Sequence, residues 1–414
     1  MRILVFSQHF WPESFRINDV AQSLHAAGHE VTVLTGQPNY PGGQVFKGYR
    51  AAASGVERWD GIDVHRVPLL PRGVNSARRL VLNYLSFIFS SALCGAWRLR
   101  GLRFDVIFVY ASSPLLQAIG ATVLAKLKGC AIVTWVQDLW PESLQATGYI
   151  RNARALSIVA AVVRGIYKRQ DLVLVQSPGF VEPVRALAPA TLPVRVHPNP
   201  SERQPDDHAP PALMLPPGFN IVFAGNLGKA QALDAVLDAA TRLRDLDGVR
   251  FVLVGSGQRS EELAMLVGSR GLPNVMLPGR YLPAQMPAIL AQAQALLVSL
   301  VDDPAMALTV PSKIQSYLAA GKPVIAALHG DGARVVKEAG AGIACAADDG
   351  LALAQAVRRL HAMSSTELAA MGEAGRRYHD AHYAPAHLTP LLLRHLQDAV
   401  ELRRRRLSSG RRQY

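Results

Sequence analysis

Short, nearly continuous runs of Val, Ile and Leu recur along the chain, separated by segments whose apolar residues fall three and four apart. RILVF, EVTVLT, DVIFVY, AIVTWV and DLVLVQ lie in the first half; NIVFAG, RFVLVG, NVMLPG, ALLVSL and PVIAAL lie in the second. A parallel strand covered on both faces requires such an unbroken apolar run. The helical spacing of DVAQSLHAAGH and ALDAVLDAATRLRDL predicts amphipathic helices between them. Two series of alternating strands and helices predict two doubly wound α/β domains, alike in architecture but without a sequence repeat. The segment HPNPSERQPDDHAPPALMLPPG, residues 197–218, follows neither period and is rich in Pro and polar residues, so it reads as a linker. The expected division is a first domain over 1–198, a linker over 199–217, a second domain over 218–380, and a C-terminal helix with a basic tail over 381–414. That last helix is free to return to the first domain.

One segment departs from the alternation. Residues 80–97, LVLNYLSFIFSSALCGAW, carry no charge and are bounded by Arg78, Arg79, Arg98 and Arg100. Eighteen uncharged residues approach the length that crosses a bilayer, although Asn83 and the serines dilute the run. Arginines at both ends suit a helix lying in a membrane interface; an internal helix and a spanning one are the alternatives.

Composition narrows the class. The 414 residues, 50% hydrophobic and 18% charged, suit a globular chain of about two domains. Cys94, Cys130 and Cys345 have neither disulfide-framework nor metal-ligand spacing, which points to a reducing compartment. The N-terminus enters a strand directly, without a secretory pattern, so a cytoplasmic location is expected. A net charge of +13 calls for an anionic partner. Nucleic acid is disfavoured, because no zinc spacing, recognition-helix motif or interleaved basic and aromatic pattern is present. The densest charge, RRRRLSSGRR over Arg403–Arg412, joins the uncharged segment in pointing to an anionic membrane surface.

Ligands of doubly wound sheets bind beyond the carboxyl ends of the strands. In the second half these positions are AGNLGKAQALD, with Gly225, Asn226, Gly228 and Lys229; VGSGQRSEEL, with Gly255; LPGRYLP, with Arg280 and Tyr281; and PSKIQSYLAAGKPVI. In the last stretch Ser312 is an expected N-cap and Gly321 an expected stop, framing a helix from about Lys313 to Ala320. Lys313 then opposes the helix dipole, a conflict that a bound anion resolves. Lys229, placed just before a helix expected from Ala230, Arg280 and Lys313 are expected to converge on a diphosphate. In the first half Asp138 follows a strand, beside Trp135 and Trp140, as either a catalytic carboxylate or a cap. Arg16 and Asp19 in SQHFWPESFRIND, and Asn39 and Tyr40 in GQPNYPGG, form either a sugar-binding rim or ordinary loop staples.

TGQPNYPGG, WVQDLWPES, GNLGKAQALD and PSKIQSYLAAGKPVI, in this order and at this spacing, resemble bacterial glycosyltransferases of family 4, and among them enzymes of O-antigen and capsule assembly such as N-acetyl-L-fucosaminyltransferases. The resemblance runs from residue 1 to about 400. It implies a GT-B fold, in which two Rossmann-like domains face a central cleft. It also implies a nucleotide-diphosphate sugar donor, expected to be UDP-linked, retention of anomeric configuration, and no metal or other cofactor. Gly225, Asn226, Lys229, Gly255, Ser312 and Lys313 would surround the diphosphate, and Arg280 and Tyr281 would lie near the base. Asp138 would meet the acceptor hydroxyl, with Arg16, Asp19, Asn39 and Tyr40 on the acceptor side. The uncharged segment and the arginine tail favour a peripheral enzyme acting on a lipid-linked acceptor, expected to be a polyprenyl-diphosphate-linked sugar at the inner face of the cytoplasmic membrane. Leu308 and Ser316 stand where most members carry two glutamates, the second of which grips the ribose. A serine cannot hold a diol in the bidentate manner of a carboxylate. A sugar-nucleotide 2-epimerase of the same fold and a non-catalytic sugar-nucleotide-binding scaffold are the alternatives.

Overall fold

The computed structural model describes residues 1–73, 76–146, 152–201 and 212–410. Most of the expected linker therefore lies outside the described residues, as does the end of the basic tail. The chain divides into two compact units, Met1–Pro200 with Pro385–Tyr414, and Ser201–Ala384.

The first unit is built on eight strands: β1 (Arg2–Phe6), β2 (Glu30–Thr35), β3 (Gly55–Trp59), β4 (Ile62–Arg66), β5 (Val106–Ala111), β6 (Ala131–Val136), β7 (Leu172–Val175) and β8 (Val194–Val196). Their order is β3-β4-β2-β1-β5-β6-β7-β8, parallel throughout except for the β3–β4 hairpin. The chain order reverses between β1 and β5, which opens a crevice beyond their carboxyl ends. Side chains alternate across β1. Ile3 and Val5 join the core with the helices Arg16–Ala26 and Pro385–Gly410, whereas Phe6 packs on Phe87 of the helix Ala77–Ser90 at 5.4 Å between ring centroids. The β3–β4 hairpin is absent from the strands legible in the sequence. β3 is short, and each of its residues is partly or fully exposed. The Asp60–Gly61 pair between the two strands takes φ of 46° and 83°, the left-handed pair that a tight hairpin turn needs.

Helix Pro385–Gly410 belongs to the first unit. Leu392, Leu396 and Ala399 enter the core beside Trp135 and Leu172. Two of the tail arginines are anchored: Arg403 and Arg406 lie 3.5 and 3.3 Å from the carboxylate of buried Asp171.

The uncharged segment forms the helix Ala77–Ser90, a π-helical turn Ser91–Gly95 and a last turn Ala96–Arg98. Its inner face is built into the fold. Asn83 donates to the Leu70 carbonyl at 2.6 Å and accepts from Gln8 Nε2 at 2.7 Å, and Phe87 and Ile88 are buried. By length and composition alone, Ala77–Arg98 is long and apolar enough to cross a membrane.

The second unit is a fully parallel six-stranded sheet of β9 (Phe219–Ala224), β10 (Val249–Val254), β11 (Val275–Gly279), β12 (Ala295–Ser299), β13 (Val324–Ala327) and β14 (Gly342–Cys345), in the order β11-β10-β9-β12-β13-β14. Its reversal falls between β9 and β12, so a ligand crevice is expected beside the end of β9.

Candidate active site

The ends of β9, β10 and β11 are stitched together by backbone hydrogen bonds: Gly225 N–H to Val254 O at 2.9 Å, Gly255 N–H to Gly279 O at 2.8 Å, and Leu227 N–H to Ser256 O at 3.1 Å. Gly225 and Gly255 have φ of 143° and 147°, and a Cβ on Gly255 would run into the Gly225 carbonyl oxygen. Two loops can cross this closely only with glycine at those positions. Beside the crossing lies a cavity of about 680 Å³. Gly225, Asn226, Gly255, Arg280, Tyr281, Ser312, Lys313 and Ser316 all line it. Ala224, Val254, Ser256, Gly257, Pro283, Met286, Leu290 and Tyr317 complete the lining.

The helix Ser312–Ala320 presents its amino end to this cavity. Its N-cap is Pro311, with φ of −56° and ψ of 136°, and no side chain caps the first turn. Ser312, the expected cap, is instead the first helical residue. Gly321, at φ of 65°, ends the helix as expected. An uncapped amino end leaves N–H groups for an anion. Tyr317, fully buried, accepts the Ala224 N–H at 2.8 Å and so ties this helix to the end of β9.

Lys313 is the cation at the centre. Its Nζ lies 3.9 Å from the centroid of the Phe223 ring and donates to Gln231 Oε1. A Cβ on Gly225 would come within 2.7 Å of Lys313 Cε, so the glycine also makes room for the lysine stem. Burial lowers its pKa from 10.5 to about 7. An ammonium so poorly solvated gains strongly from an incoming diphosphate.

Lys229 is placed differently from the expectation. It lies in a 3₁₀ turn, Lys229–Gln231, exposed and outside the residues that line the cavity, and the helix begins only at Leu233. The delay comes from Ala232, held at φ of 48° between the turn and the helix. The expected convergence of three cations therefore reduces to Arg280 and Lys313. Nearby Arg259 is committed elsewhere, bidentate to Asp234 at 2.7 and 2.9 Å and bound to Glu262. Ser316 Oγ donates to the Ser312 carbonyl at 3.3 Å.

In the first unit, Asp138 follows β6 and is partly buried. It accepts from Trp140 Nε1 at 3.1 Å and from Ser113, Ser143 and the Leu139 N–H. Burial raises its pKa against the pull of those donors. Trp135 is no part of a rim: it is fully buried in β6, and its indole N–H donates to the His197 carbonyl at 2.9 Å. Arg16, the first residue of its helix, lies 3.7 Å from Asp19.

Asn39 has a scaffolding place rather than a surface one. It is wholly buried, its amide donating to Gln37 O at 2.9 Å and accepting from Arg72 N–H at 3.2 Å. Tyr40 is exposed, with the Arg72 guanidinium 5.1 Å from its ring centroid. Beneath the loop lies a pair that the sequence reading passed over, His9 and Glu13, both buried. The signal was a His and a Glu four apart in SQHFWPES, immediately after β1.

Two doubly wound units, the second holding a cationic cavity at its strand ends, suit the GT-B class of glycosyltransferase. Residues 14–200 match the family described as glycosyl transferase 4-like domain, and residues 218–363 match glycosyl transferases group 1. The chain is 30% identical over 343 residues to the putative colanic acid biosynthesis glycosyl transferase WcaI of Escherichia coli (strain K12), covering 78% of this chain and 82% of that one. Identity to the probable glycosyltransferase WbjE of Pseudomonas aeruginosa is 24% over 322 residues, covering 74% and 77%. Among solved structures, sucrose-phosphate synthase from Thermosynechococcus elongatus shares the fold at a TM-score of 0.73 and 18% identity, covering 96% of this chain and 100% of that chain. HepE from Anabaena in complex with UDP does so at a TM-score of 0.66 and 14% identity, covering 96% and 100%. The chain belongs to glycosyltransferase family 4.

Proposed function

We propose that the chain transfers a sugar from a UDP-linked donor to a lipid-linked oligosaccharide, with retention of anomeric configuration, in the assembly of a surface polysaccharide such as O-antigen or capsule. The carrying observation is the cavity in which Lys313, Arg280 and an uncapped helix amino end meet. The description of WcaI as a putative colanic acid biosynthesis glycosyl transferase and the UDP bound to HepE support the polysaccharide and the donor. N-acetyl-L-fucosamine is the first donor sugar to try.

The reaction breaks the bond between the anomeric carbon and the diphosphate oxygen and forms one to an acceptor oxygen. Charge develops on the departing diphosphate. Lys313, with the N–H groups of Ser312 and Lys313 in the first turn, stabilises that charge, so no metal is required. Attack comes from the leaving-group side, and the acceptor proton passes to the departing phosphate oxygen. Asp138 orients the acceptor hydroxyl or assists its deprotonation. The acceptor is a polyprenyl-diphosphate-linked sugar, placing the work at the inner face of the cytoplasmic membrane.

The test is radiolabel transfer from a panel of UDP-sugars, UDP-N-acetyl-L-fucosamine included, to polyprenyl-diphosphate-linked saccharide, with and without EDTA. Transfer that persists with EDTA supports the reading, and transfer that needs a metal overturns its metal-free part. Turnover of the sugar nucleotide without acceptor would favour an epimerase. UDP binding without any transfer would favour a scaffold.

A further inference from the structure

We infer that Gln231 is a positioning residue for Lys313, its side-chain carbonyl holding the ammonium in place for an incoming anion. The inference rests on reading the cavity of the second unit as the donor site. Gln231 is not among the residues that line that cavity, so it acts through the lysine. The cation and its holder come from different elements: Lys313 lies in the first turn of the helix Ser312–Ala320, whereas Gln231 ends the 3₁₀ turn Lys229–Gln231 that follows β9. Lys313 Nζ donates to Gln231 Oε1 and lies 3.9 Å from the centroid of the Phe223 ring. An ammonium has three N–H groups and no acceptor, so the amide must turn its oxygen toward it. The carbonyl takes one N–H and the ring face attracts the charge, which leaves donor capacity for a phosphate oxygen. Burial is the cause that displaces the lysine's pKa downward. Gln231 works against it by hydrogen-bonding the charged form.

The turn that carries Gln231 is fastened where it stands. Gln231 N–H donates to Gly228 O at 3.2 Å, and the Gln231 backbone carbonyl accepts the hydroxyl of buried Ser299, the last residue of β12, at 2.7 Å. One residue earlier, Ala230 O accepts the Val301 N–H at 3.1 Å. Ala232 follows with φ of 48° and ψ of 41°, a left-handed conformation that a Cβ disfavours. Such strain persists only where the surrounding structure imposes it. Here it keeps Gln231 out of the helix that begins at Leu233 and leaves it in a turn bonded to β12 and the residues beyond.

Titratable groups on the surrounding elements do not take over this role. On the lysine's own helix, the Tyr317 hydroxyl accepts the Ala224 N–H. Lys229, in the same turn as Gln231, is exposed. On the next helix Asp234 is committed to Arg259, which also binds Glu262. Beyond β12, Asp302 lies 3.8 Å from His329. Arg280 and Tyr281 line the same cavity, and Arg280 brings only like charge.

The test begins without nucleotide. The full chain is labelled with carbon-13 at lysine Cε, and the Lys313 resonance, assigned by its loss in Lys313→Met, is titrated by NMR. Gln231→Met keeps the length of the side chain but removes the acceptor, so Lys313 should titrate about one pH unit lower than in the wild type. Gln231→Glu sets a carboxylate against the ammonium and should move the midpoint about one unit higher or more. UDP affinity, read by calorimetry, should follow. In Gln231→Met its alkaline fall should begin about one unit earlier, with binding about tenfold weaker at pH 8. In Gln231→Glu the fall should begin later, with weaker binding at pH 6 because the carboxylate repels the diphosphate. A residue that merely shapes the turn would lower Tm and move neither midpoint. Unmoved midpoints in folded variants, or shifts of one sign in both, would overturn the inference; where one variant does not fold, the direction of the other decides. A wild type without UDP affinity at any pH would sink the donor-site reading, while the nucleotide-free titration would still decide for or against Gln231.

Discussion

Nδ1 of His9 lies 3.0 Å from Glu13 Oε2, both side chains being shut off from solvent. The other oxygen of Glu13 accepts the backbone N–H groups of Asn39 and Tyr40, each at 2.7 Å. The Tyr40 ring lies 5.6 Å from the His9 ring and 5.1 Å from the Phe15 ring between centroids, so the loops after β1 and β2 are locked into one body. Removing the carboxylate strands the buried Asn39 N–H, the partly buried Tyr40 N–H and one imidazole nitrogen. Glu13→Ala should therefore cost about 2–3 kcal/mol, seen as a Tm lower by roughly 5–10 °C. The freed Tyr40 loop should raise KM for acceptor more than KM for donor. An unchanged acceptor KM in a variant that has lost stability would confine the pair to a structural role.

Lys313 offers a pH test. Its pKa near 7 in the folded protein lies below that of the unfolded chain, so between about pH 7 and 10 the unfolded state holds the extra proton and stability rises with pH across that window. A diphosphate reverses the balance by drawing a proton onto the lysine. UDP affinity should be flat below pH 7 and fall by up to about tenfold per pH unit above it, until the raised pKa of the complex is reached. Lys313→Met should abolish that slope, weaken UDP binding and raise Tm by a few degrees, because an apolar side chain suits the site next to Phe223 better than a poorly solvated ammonium. Titration calorimetry in two buffers of different ionisation enthalpy reads the proton uptake directly.

The fold was legible because ten strands are unbroken apolar runs, whose parallel pairing follows from their spacing. What escaped were strands of another kind. β3 and β4 form a hairpin at the sheet edge, and β8 and β14 are short, so neither alternation nor apolar run was strong enough to stand out. The cavity of the second unit was legible for a related reason, since many of its residues follow strand ends directly in sequence. Lys229 was misjudged because a single left-handed residue, Ala232, moved the helix start three positions. Asn39 takes the loop-staple alternative, which local pattern could not decide because only the fold shows Glu13, Gln37 and Arg72 closing round it. Burial of a polar residue by distant partners is a tertiary property that local pattern does not carry.

Asp138 has donors enough to hold its carboxylate in place, yet burial raises its pKa. A raised carboxyl in the folded state means that its stabilising effect is greatest at low pH and declines as pH rises through the raised value. If it assists the acceptor hydroxyl, the acid limb of kcat/KM should lie above the ordinary aspartate range. Asp138→Asn keeps an oxygen for the Trp140 indole while removing the proton acceptor. The expected result is a kcat about 10²-fold lower or more, with UDP affinity and Tm within error of wild type. Loss of Tm with retained kcat per folded molecule would make Asp138 a cap for the following segment.

Ser316 lines the cavity proposed to hold the donor, where the family resemblance implies a ribose-gripping glutamate, and its hydroxyl is turned back to the Ser312 carbonyl. A longer carboxylate there would reach further into the cavity. It would also bring negative charge toward the diphosphate and into the first turns of the helix, near Lys313. Two opposing effects follow: bidentate bonds to a diol, and repulsion from phosphate that Lys313 partly offsets. If the ribose lies against this turn of helix, the diol term wins. Ser316→Glu should then tighten UDP binding by about tenfold while leaving 2′-deoxy-UDP unchanged. Equal changes for the two nucleotides would mean that the ribose hydroxyls are held elsewhere along the cavity. Comparing two ligands that differ in one hydroxyl separates that outcome from a general electrostatic effect, which moves both together.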